Sequence, residues 1–202
     1  MRVKVCGITN LDDALLCEKE GADALGFIFY RQSKRYILPD EAEKIIKKLS
    51  PFTAKVGVFV NEDIRVINQI IEKTKINVAQ LHGDEDENYC MGIELPVIKS
   101  FRIKENFDFG NIYKYKNVDF LFDAYSENNF GGTGKTFNWE LIPAEIKNKI
   151  ILSGGISEAN IEKIFRKVTP SAVDLSSSLE SKPGKKDVEK VKSFFKKFNS
   201  LR

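Results

Sequence analysis

Two side chains of this sequence are suited to proton transfer, and each stands at the end of a predicted strand. Cys6 ends the strand Val3–Cys6 and precedes a glycine, and Asp123 follows the apolar run at residues 120–122. A carboxyl group serves as a general acid and a thiolate as a general base. Each residue also has a structural interpretation, Cys6 as an inert buried thiol and Asp123 as a helix cap or ion-pair partner. The residue types leave both interpretations open.

Two loops of glycine and serine indicate a site for a phosphate group. Gly154 and Gly155 follow one apolar run, and Ser176 and Ser177 follow the next. Glycine lets the backbone approach a ligand closely, and free backbone N–H groups bind anions. Turn glycines and helix-capping serines are the structural alternative. Two such loops after neighbouring strands favour phosphate binding, and we call them the glycine/serine loops.

Arg35 offers a binding group for a second anionic group of a ligand, because a guanidinium group can hold a carboxylate through two parallel hydrogen bonds. A solvated loop arginine is the alternative. His82 is the chain's single histidine, and a satisfied polar residue is the more ordinary role for it than a catalyst. One histidine, and three cysteines without a CxxC pair, do not provide the usual ligands of a zinc site. We therefore expect no metal and no cofactor.

The elements that must position these residues alternate along the chain. Eight short apolar runs predict strands at Val3–Cys6, Ala24–Phe29, Ala54–Val60, Val78–Leu81, Val97–Phe101, Asp119–Asp123, Ile150–Leu152 and Ala172–Leu175. Helices are predicted at about 11–20, 39–49, 63–73, 85–92, 139–142, 158–167 and 187–198. Near-continuous apolar strands are typical of a parallel sheet covered on both faces.

Eight repeats without a linker predict an α/β fold, a single (βα)8 TIM barrel that spans residues 1–202. The stretch 104–117 is weakly helical, so we expect a shortened fifth helical segment. A doubly wound sheet is the alternative, but it usually needs fewer units. In a barrel the carboxyl ends of the strands form one rim, and the candidate residues should converge there.

The strand pattern also predicts an ion pair inside the barrel. Lys4 shares a strand face with Cys6, one layer below it, and Asp174 points inward from the neighbouring eighth strand. An unpaired charge there would be costly, so Lys4 and Asp174 should meet. The pair is either purely structural or supports the site, with the ammonium group lowering the pKa of the Cys6 thiol.

Composition limits the partners and the location of the protein. The 32 basic and 29 acidic residues give a formal charge of +3, which offers no case for nucleic acid or a membrane surface as the main partner. No apolar run of about 18 residues is present, and the first residues lack the apolar run of a signal peptide. We expect a cytoplasmic protein, a monomer or a homodimer, that acts on a small molecule.

Motifs along the whole chain resemble those of the phosphoribosylanthranilate isomerase family of tryptophan biosynthesis. They are KVCGIT at 4–9, GADALGF at 21–27, SKR at 33–35, VGVFVN at 56–61, QLHG at 80–83, GGTGK at 131–135, LSGG at 152–155, DLSS at 174–177 and PGKKD at 183–187. GGTGK lacks the spacing of a P-loop, and we interpret it as a mobile loop over the site.

The resemblance implies a cofactor-free Amadori rearrangement. N-(5-phosphoribosyl)anthranilate becomes 1-(2-carboxyphenylamino)-1-deoxyribulose 5-phosphate. Asp123 would be the general acid and Cys6 the general base. Arg35 would hold the anthranilate carboxylate, and the glycine/serine loops would hold the phosphate. His82 resembles a rim residue of the family's substrate site, and its role stays open.

Two positions depart from the family pattern. Ser178 replaces the usual glycine after Ser177, and it adds strain if that position needs a positive φ. Residues 124–126, Ala-Tyr-Ser, replace a usual small polar residue, so this loop is expected to pack differently. The rival functions are the analogous isomerase of histidine biosynthesis, for which aspartate is expected at position 6 together with a half-chain repeat, and an inactive barrel that binds a phosphorylated ligand or a partner protein.

Overall fold

The computed structural model describes residues 1–124 and 136–202. Its eight parallel strands form a closed barrel in chain order. They are β1 (Arg2–Cys6), β2 (Ala24–Ile28), β3 (Ala54–Phe59), β4 (Val78–Leu81), β5 (Val97–Ile103), β6 (Val118–Ala124), β7 (Ile151–Leu152) and β8 (Ala172–Leu175). The predicted fold class, a (βα)8 barrel, is therefore confirmed.

The α-helices of the described residues lie between most of the strands and after the last one. They are α1 (Leu11–Glu20), α2 (Pro39–Ile46), α3 (Ile64–Thr74), α4 (Glu87–Met91), α5 (Ile161–Lys167) and α6 (Val188–Asn199). Capping side chains fix several starts, because they accept hydrogen bonds from N–H groups that the helix leaves unpaired. Asn10 accepts from the Asp13 N–H before α1, and Asp187 accepts from two N–H groups at the start of α6.

In the described residues on either side of β6, the helical turns are 3-10 helices. Between β5 and β6 the chain forms one 3-10 helix, Phe109–Lys114, which confirms the shortened fifth segment. Where a helix was predicted at 139–142, the structure has a 3-10 helix at Trp139–Leu141. The prediction also extended α2 to residue 49. Beyond Ile46 the chain continues in tighter turns, with bonds three residues apart, instead of α-helix.

Apolar side chains fill two regions. The main core lies between the strands and the helices and includes fully buried Phe27, Phe59 and Phe122. A second, small cluster of Val56, Ile98 and Leu121 comes from β3, β5 and β6, and further apolar residues of neighbouring strands pack against it. Because it is separate from the outer core, it is the packed interior of the barrel, which leaves the rim of loops to form a site.

A short hairpin after β8 was not predicted. Strands β9 (Glu180–Lys182) and β10 (Lys185–Lys186) pair in antiparallel fashion, and Gly184 between them has a φ of +80°. The hairpin docks back on α1, since buried Asp13 accepts from the backbone N–H of Lys186 at 2.7 Å. We call residues 180–186 the rim hairpin. Within the described ranges, no helix has the length and apolar character needed to cross a membrane.

Candidate active site

The predicted catalytic pair lines one cleft at the carboxyl ends of the strands. Cys6 is the last residue of β1, and Asp123 is the penultimate residue of β6. The cleft is lined by Cys6, Ile28, Tyr30, Ser33, Arg35, Val58, Val60, Gln80, His82, Asp123, Ser153, Asp174 and Ser176. Thiol, carboxyl, guanidinium and imidazole groups thus share one cavity with apolar walls, as the barrel topology predicts.

The Cys6 thiol is buried and closely surrounded. A Cβ on Gly26 of β2 would lie 2.7 Å from its sulfur, so glycine at that position makes room for the thiol. Burial raises the pKa of the Cys6 thiol, and the positive charge of Lys4 opposes this rise. The direction of the Lys4 effect is the predicted one, but the desolvation of a thiolate outweighs it. Burial thus favours the neutral form of the Cys6 thiol.

The predicted ion pair inside the barrel is present. Lys4 Nζ donates to Asp174 Oδ2 at 2.7 Å, and the register of β1 on β8 sets the two residues opposite each other. Burial lowers the pKa of Lys4, but Asp174 and Cys6 together, through charge and hydrogen bonding, outweigh burial and leave the pKa raised. Asp174 Oδ1 has no hydrogen-bond partner among the described residues. Lys4 thus stays charged beneath Cys6.

Asp123 lies beside His82. The distance between His82 Nε2 and Asp123 Oδ2 is 3.4 Å, and both side chains are buried. On the other edge of the ring, Gln80 Nε2 lies 2.9 Å from His82 Nδ1 and also donates to Ser100 Oγ at 3.2 Å. His82 Nε2 has no hydrogen-bond partner among the described residues, so the ring faces Asp123 without a hydrogen bond. A single rim histidine gave no signal of this arrangement in the sequence.

Arg35 lines the cleft, and two nitrogens of its guanidinium group donate hydrogen bonds to Glu180. Its Nε donates to Glu180 Oε1 at 2.8 Å, and its Nη2 donates to Glu180 Oε2 at 2.8 Å. Nη1 has no hydrogen bond within the part of the chain that the structure describes. Sequence reasoning missed Glu180, which lies three residues before the PGKKD motif at 183–187. Arg35 therefore binds the Glu180 carboxylate with one edge of its guanidinium group and leaves the Nη1 edge at the cleft.

The glycine/serine loops form a second pocket that adjoins the cleft. It is lined by Asp123, Ser153, Gly154, Gly155, Ile156, Asp174, Leu175, Ser176, Ser177 and Ser178. Gly154 and Gly155 have φ angles of +87° and +61°. The Oγ atoms of Ser176 and Ser178 are buried and have no hydrogen-bond partner among the described residues. Such a concave, donor-rich loop pair is suited to an anion with several acceptor oxygens.

The departures from the family pattern have different outcomes. Ser178 is not among the residues with a positive φ, so the strain considered for serine at this position does not arise. Tyr125, Ser126 and the motif GGTGK lie outside the described residues. No group of three or more histidine, cysteine, aspartate or glutamate side chains in residues 1–124 and 136–202 is arranged to hold a metal ion.

Known proteins are similar to this chain in sequence and in fold over nearly their whole lengths. The family model described as N-(5'phosphoribosyl)anthranilate (PRA) isomerase matches residues 3–197. The isomerase of this name from Trichlorobacter lovleyi is 45% identical over 198 residues, which are 97% of each chain. The phosphoribosyl anthranilate isomerase structure from Thermotoga maritima has a TM-score of 0.91, 40% identity and 99% coverage of each chain.

A further solved structure of this isomerase was determined with a ligand. It has a TM-score of 0.88, 38% identity and 99% coverage of each chain, and it holds reduced 1-(o-carboxyphenylamino)-1-deoxyribulose 5-phosphate. The resemblance read from the motifs is therefore confirmed by sequence, by family model and by structure. On these grounds the chain belongs to the N-(5'-phosphoribosyl)anthranilate isomerase family.

Proposed function

We propose that this isomerase of tryptophan biosynthesis works by acid–base catalysis, with Asp123 as the general acid and Cys6 as the general base. Its reaction is the Amadori rearrangement of N-(5-phosphoribosyl)anthranilate to 1-(2-carboxyphenylamino)-1-deoxyribulose 5-phosphate. The observation that carries the assignment is the shared cleft. Cys6, Asp123 and Arg35 line one cavity that adjoins the pocket of the glycine/serine loops.

The reaction needs one proton donor and one proton acceptor on a bound sugar. Asp123 protonates the furanose ring oxygen, the bond from that oxygen to C1 breaks, and the nitrogen lone pair forms the C=N bond of a Schiff base. Cys6 then removes the proton from ribose C2, and the electron pair moves to give an enolamine. The enolamine tautomerises to the ketone. Each proton transfer of this kind contributes roughly 10²–10⁴-fold to the rate.

Cys6 must lose its proton before it can accept one. Burial raises the pKa of the thiol, while the positive charges of Lys4 and Lys186 favour the thiolate. We assign Lys4, paired with Asp174, as the support for this thiolate. His82 contributes beside the acid, where its Nε2 lies 3.4 Å from Asp123 Oδ2 and confines the carboxyl group on that side of the cleft.

Two anionic groups of the substrate fix the reacting carbons between acid and base. The phosphate binds the N–H groups of Gly154 and Gly155 and the serine loop of Ser176 and Ser177, while the anthranilate carboxylate binds Arg35. The ligand in the related structure carries both a phosphate and a carboxylate, which supports this assignment. Two handles at opposite ends restrict the substrate to one orientation and thereby lower the entropic part of the barrier.

The test is an isomerisation assay on the purified chain that follows the fluorescence of the anthranilate adduct. Cys6→Ala and Asp123→Ala should each lower kcat by at least about a hundredfold with the fold intact. Cys90→Ala is the matched control, since Cys90 is also a buried free cysteine but lies outside the cleft. Near-normal turnover in either cleft variant would contradict the assigned role. An inactive wild-type chain would favour the inactive-barrel alternative.

The proposal includes a cytoplasmic location and a small-molecule partner only. Cys6, Cys17 and Cys90 are all unpaired, as is usual in a reducing compartment. The near-balanced charge supports the expectation that nucleic acid is not a partner. Both a monomer and a homodimer fit the sequence, and one structure of the Thermotoga maritima relative describes that protein as dimeric. Analytical ultracentrifugation distinguishes the two states.

A further inference from the structure

We infer that Glu180 is a positioning residue for substrate recognition: it locks the Arg35 guanidinium at the cleft so that the free N–H edge selects ligands with a carboxylate. This inference rests on the role proposed above for Arg35. It adds a residue that the motifs did not identify, and it assigns a function to the rim hairpin.

The contact between Arg35 and Glu180 fixes the plane of the guanidinium group. Three N–H···O distances join the two side chains, 2.8 Å and 3.1 Å from Nε and 2.8 Å from Nη2. The two side chains are 13% and 3% exposed. A planar fork bound at two donors cannot rotate about its stem without losing both hydrogen bonds. The remaining donors on the Nη1 side therefore point in one direction.

Glu180 is itself held by a second cation, Lys186, whose side chain is fully buried. Lys186 Nζ lies 3.1 Å from Glu180 Oε1 and donates to the carbonyl oxygen of Cys6 at 2.7 Å. Burial raises the pKa of Glu180, but Arg35 and Lys186 outweigh burial and leave it lowered. The carboxylate thus stays ionised at neutral pH. A rigid chain of contacts runs from the backbone of Cys6 through Lys186 and Glu180 to Arg35.

The stem of Arg35 is confined as well. A Cβ on Gly7 would lie 2.5 Å from Arg35 Cδ, so the arginine packs directly over the backbone next to Cys6. A second reason for glycine at this position is the backbone conformation, because Gly7 has a φ of +80°. The hairpin and this packing together set the distance between the guanidinium edge and the Cys6 thiol.

The charges of this cluster define the ligand class. Arg35 and Lys186 carry two positive charges and Glu180 one negative charge, so one positive charge remains for a ligand. The edge left on Arg35 suits a carboxylate rather than a neutral ring. A phosphorylated sugar with a carboxylate-bearing aryl amine should therefore bind better than the same molecule without the carboxylate.

Binding of two ligands tests this inference. They are reduced 1-(o-carboxyphenylamino)-1-deoxyribulose 5-phosphate and its phenylamino analogue, which lacks the carboxylate. In Glu180→Gln we expect Kd for the first ligand to rise about tenfold and Kd for the second to change less than twofold, since a free guanidinium weakens only the carboxylate contact. KM should rise in parallel while kcat changes less than about threefold. Glu189→Gln, an exposed residue of α6, is the control and should leave both Kd values unchanged.

A double variant separates positioning from a general structural effect. In an Arg35→Met background, Glu180→Gln should change the Kd of either ligand less than about twofold, because there is no fork left to orient. Glu180→Asp keeps the charge but shortens the side chain by about 1.5 Å. It should also lose carboxylate discrimination, and it replaces Glu180→Gln if that variant does not fold.

Equal loss of affinity for both ligands, or an undiminished Glu180→Gln effect in the Arg35→Met background, would overturn the inference. So would full carboxylate discrimination in both Glu180 variants. In each of these cases wild-type isomerase activity and the roles of Cys6 and Asp123 would stand. Loss of the proposed function itself would instead appear as an inactive wild-type chain.

Discussion

Replacing Lys4 by methionine should destabilise the barrel strongly. The change keeps a side chain of similar length but removes the charge that Asp174 faces inside the barrel. Lys4 Nζ is the hydrogen-bond donor to Asp174 Oδ2 at 2.7 Å, and Oδ1 has no partner among the described residues. The variant therefore leaves a buried carboxylate without its counter-charge.

Removing one partner of a buried ion pair costs about 3–5 kcal/mol. Proteins of this kind unfold with a free energy of about 5–15 kcal/mol, so the loss is a large fraction of the total. The cost should depend on pH. Burial raises the pKa of Asp174 and Lys4 opposes this rise, so without Lys4 the folded-state pKa moves further up. Protonation then relieves the penalty, and the destabilisation should be larger at pH 8 than at pH 5.

Urea unfolding followed by circular dichroism measures this effect. The control is Lys4→Met combined with Asp174→Leu, which removes both charges and should recover most of the lost free energy of unfolding. A single variant within about 1 kcal/mol of wild type would refute the reasoning, because that is far below the cost of an unpaired buried charge. A double variant as unstable as the single one would show that the loss comes from packing.

Three further predictions follow from the same rim. Gly154→Ala should lower kcat at least about tenfold and reduce the melting temperature, because Gly154 has a φ of +87° and a Cβ there would lie 2.8 Å from the backbone nitrogen of Ala124 and from Asp123 Oδ1. Alkylation of Cys6 by iodoacetamide in a Cys17→Ala/Cys90→Ala chain should have its midpoint at a higher pH than alkylation of a free cysteine, since burial raises the pKa of this thiol; a midpoint below that of free cysteine would contradict this. Ser178→Ala should raise the inhibition constant of inorganic phosphate about two- to tenfold, because its buried Oγ lacks a partner in the described structure and lines the phosphate-type pocket.

The strands were predictable because parallel barrel strands have an unusually plain sequence signature. Buried on both sides, they appear as apolar runs, and Val78–Leu81 and Ala172–Leu175 match the predicted bounds. Period-two alternation then predicted that Lys4 meets Asp174, because β1 must close on β8. Helix ends were less predictable, since capping and tight turns depend on single hydrogen bonds, as in the segment after Ile46.

The candidate cleft was partly predictable for the same reason. Strand ends converge by topology, so Cys6, Asp123 and Arg35 could be placed together before any contact was known. The positions of Glu180 and Lys186 next to this cleft could not be predicted in this way. Their charges look like ordinary solvated surface in the sequence, and only the turn at Gly184 brings them under Arg35. Likewise, nothing in a lone histidine indicates that Gln80 contacts its Nδ1 while its Nε2 faces Asp123.

The rim hairpin makes the assembly of the site depend on the chain that follows β8. Lys186 Nζ donates to the carbonyl oxygen of Cys6, and the backbone N–H of Lys186 donates to Asp13 of α1. The first and last βα units are therefore joined by contacts between residues about 170–180 positions apart in the sequence. A nascent chain on the ribosome cannot make these contacts until residue 186 has been synthesised. The setting of Arg35 therefore depends on a segment that follows β8, and chains that stop before it lack the Glu180 and Lys186 contacts.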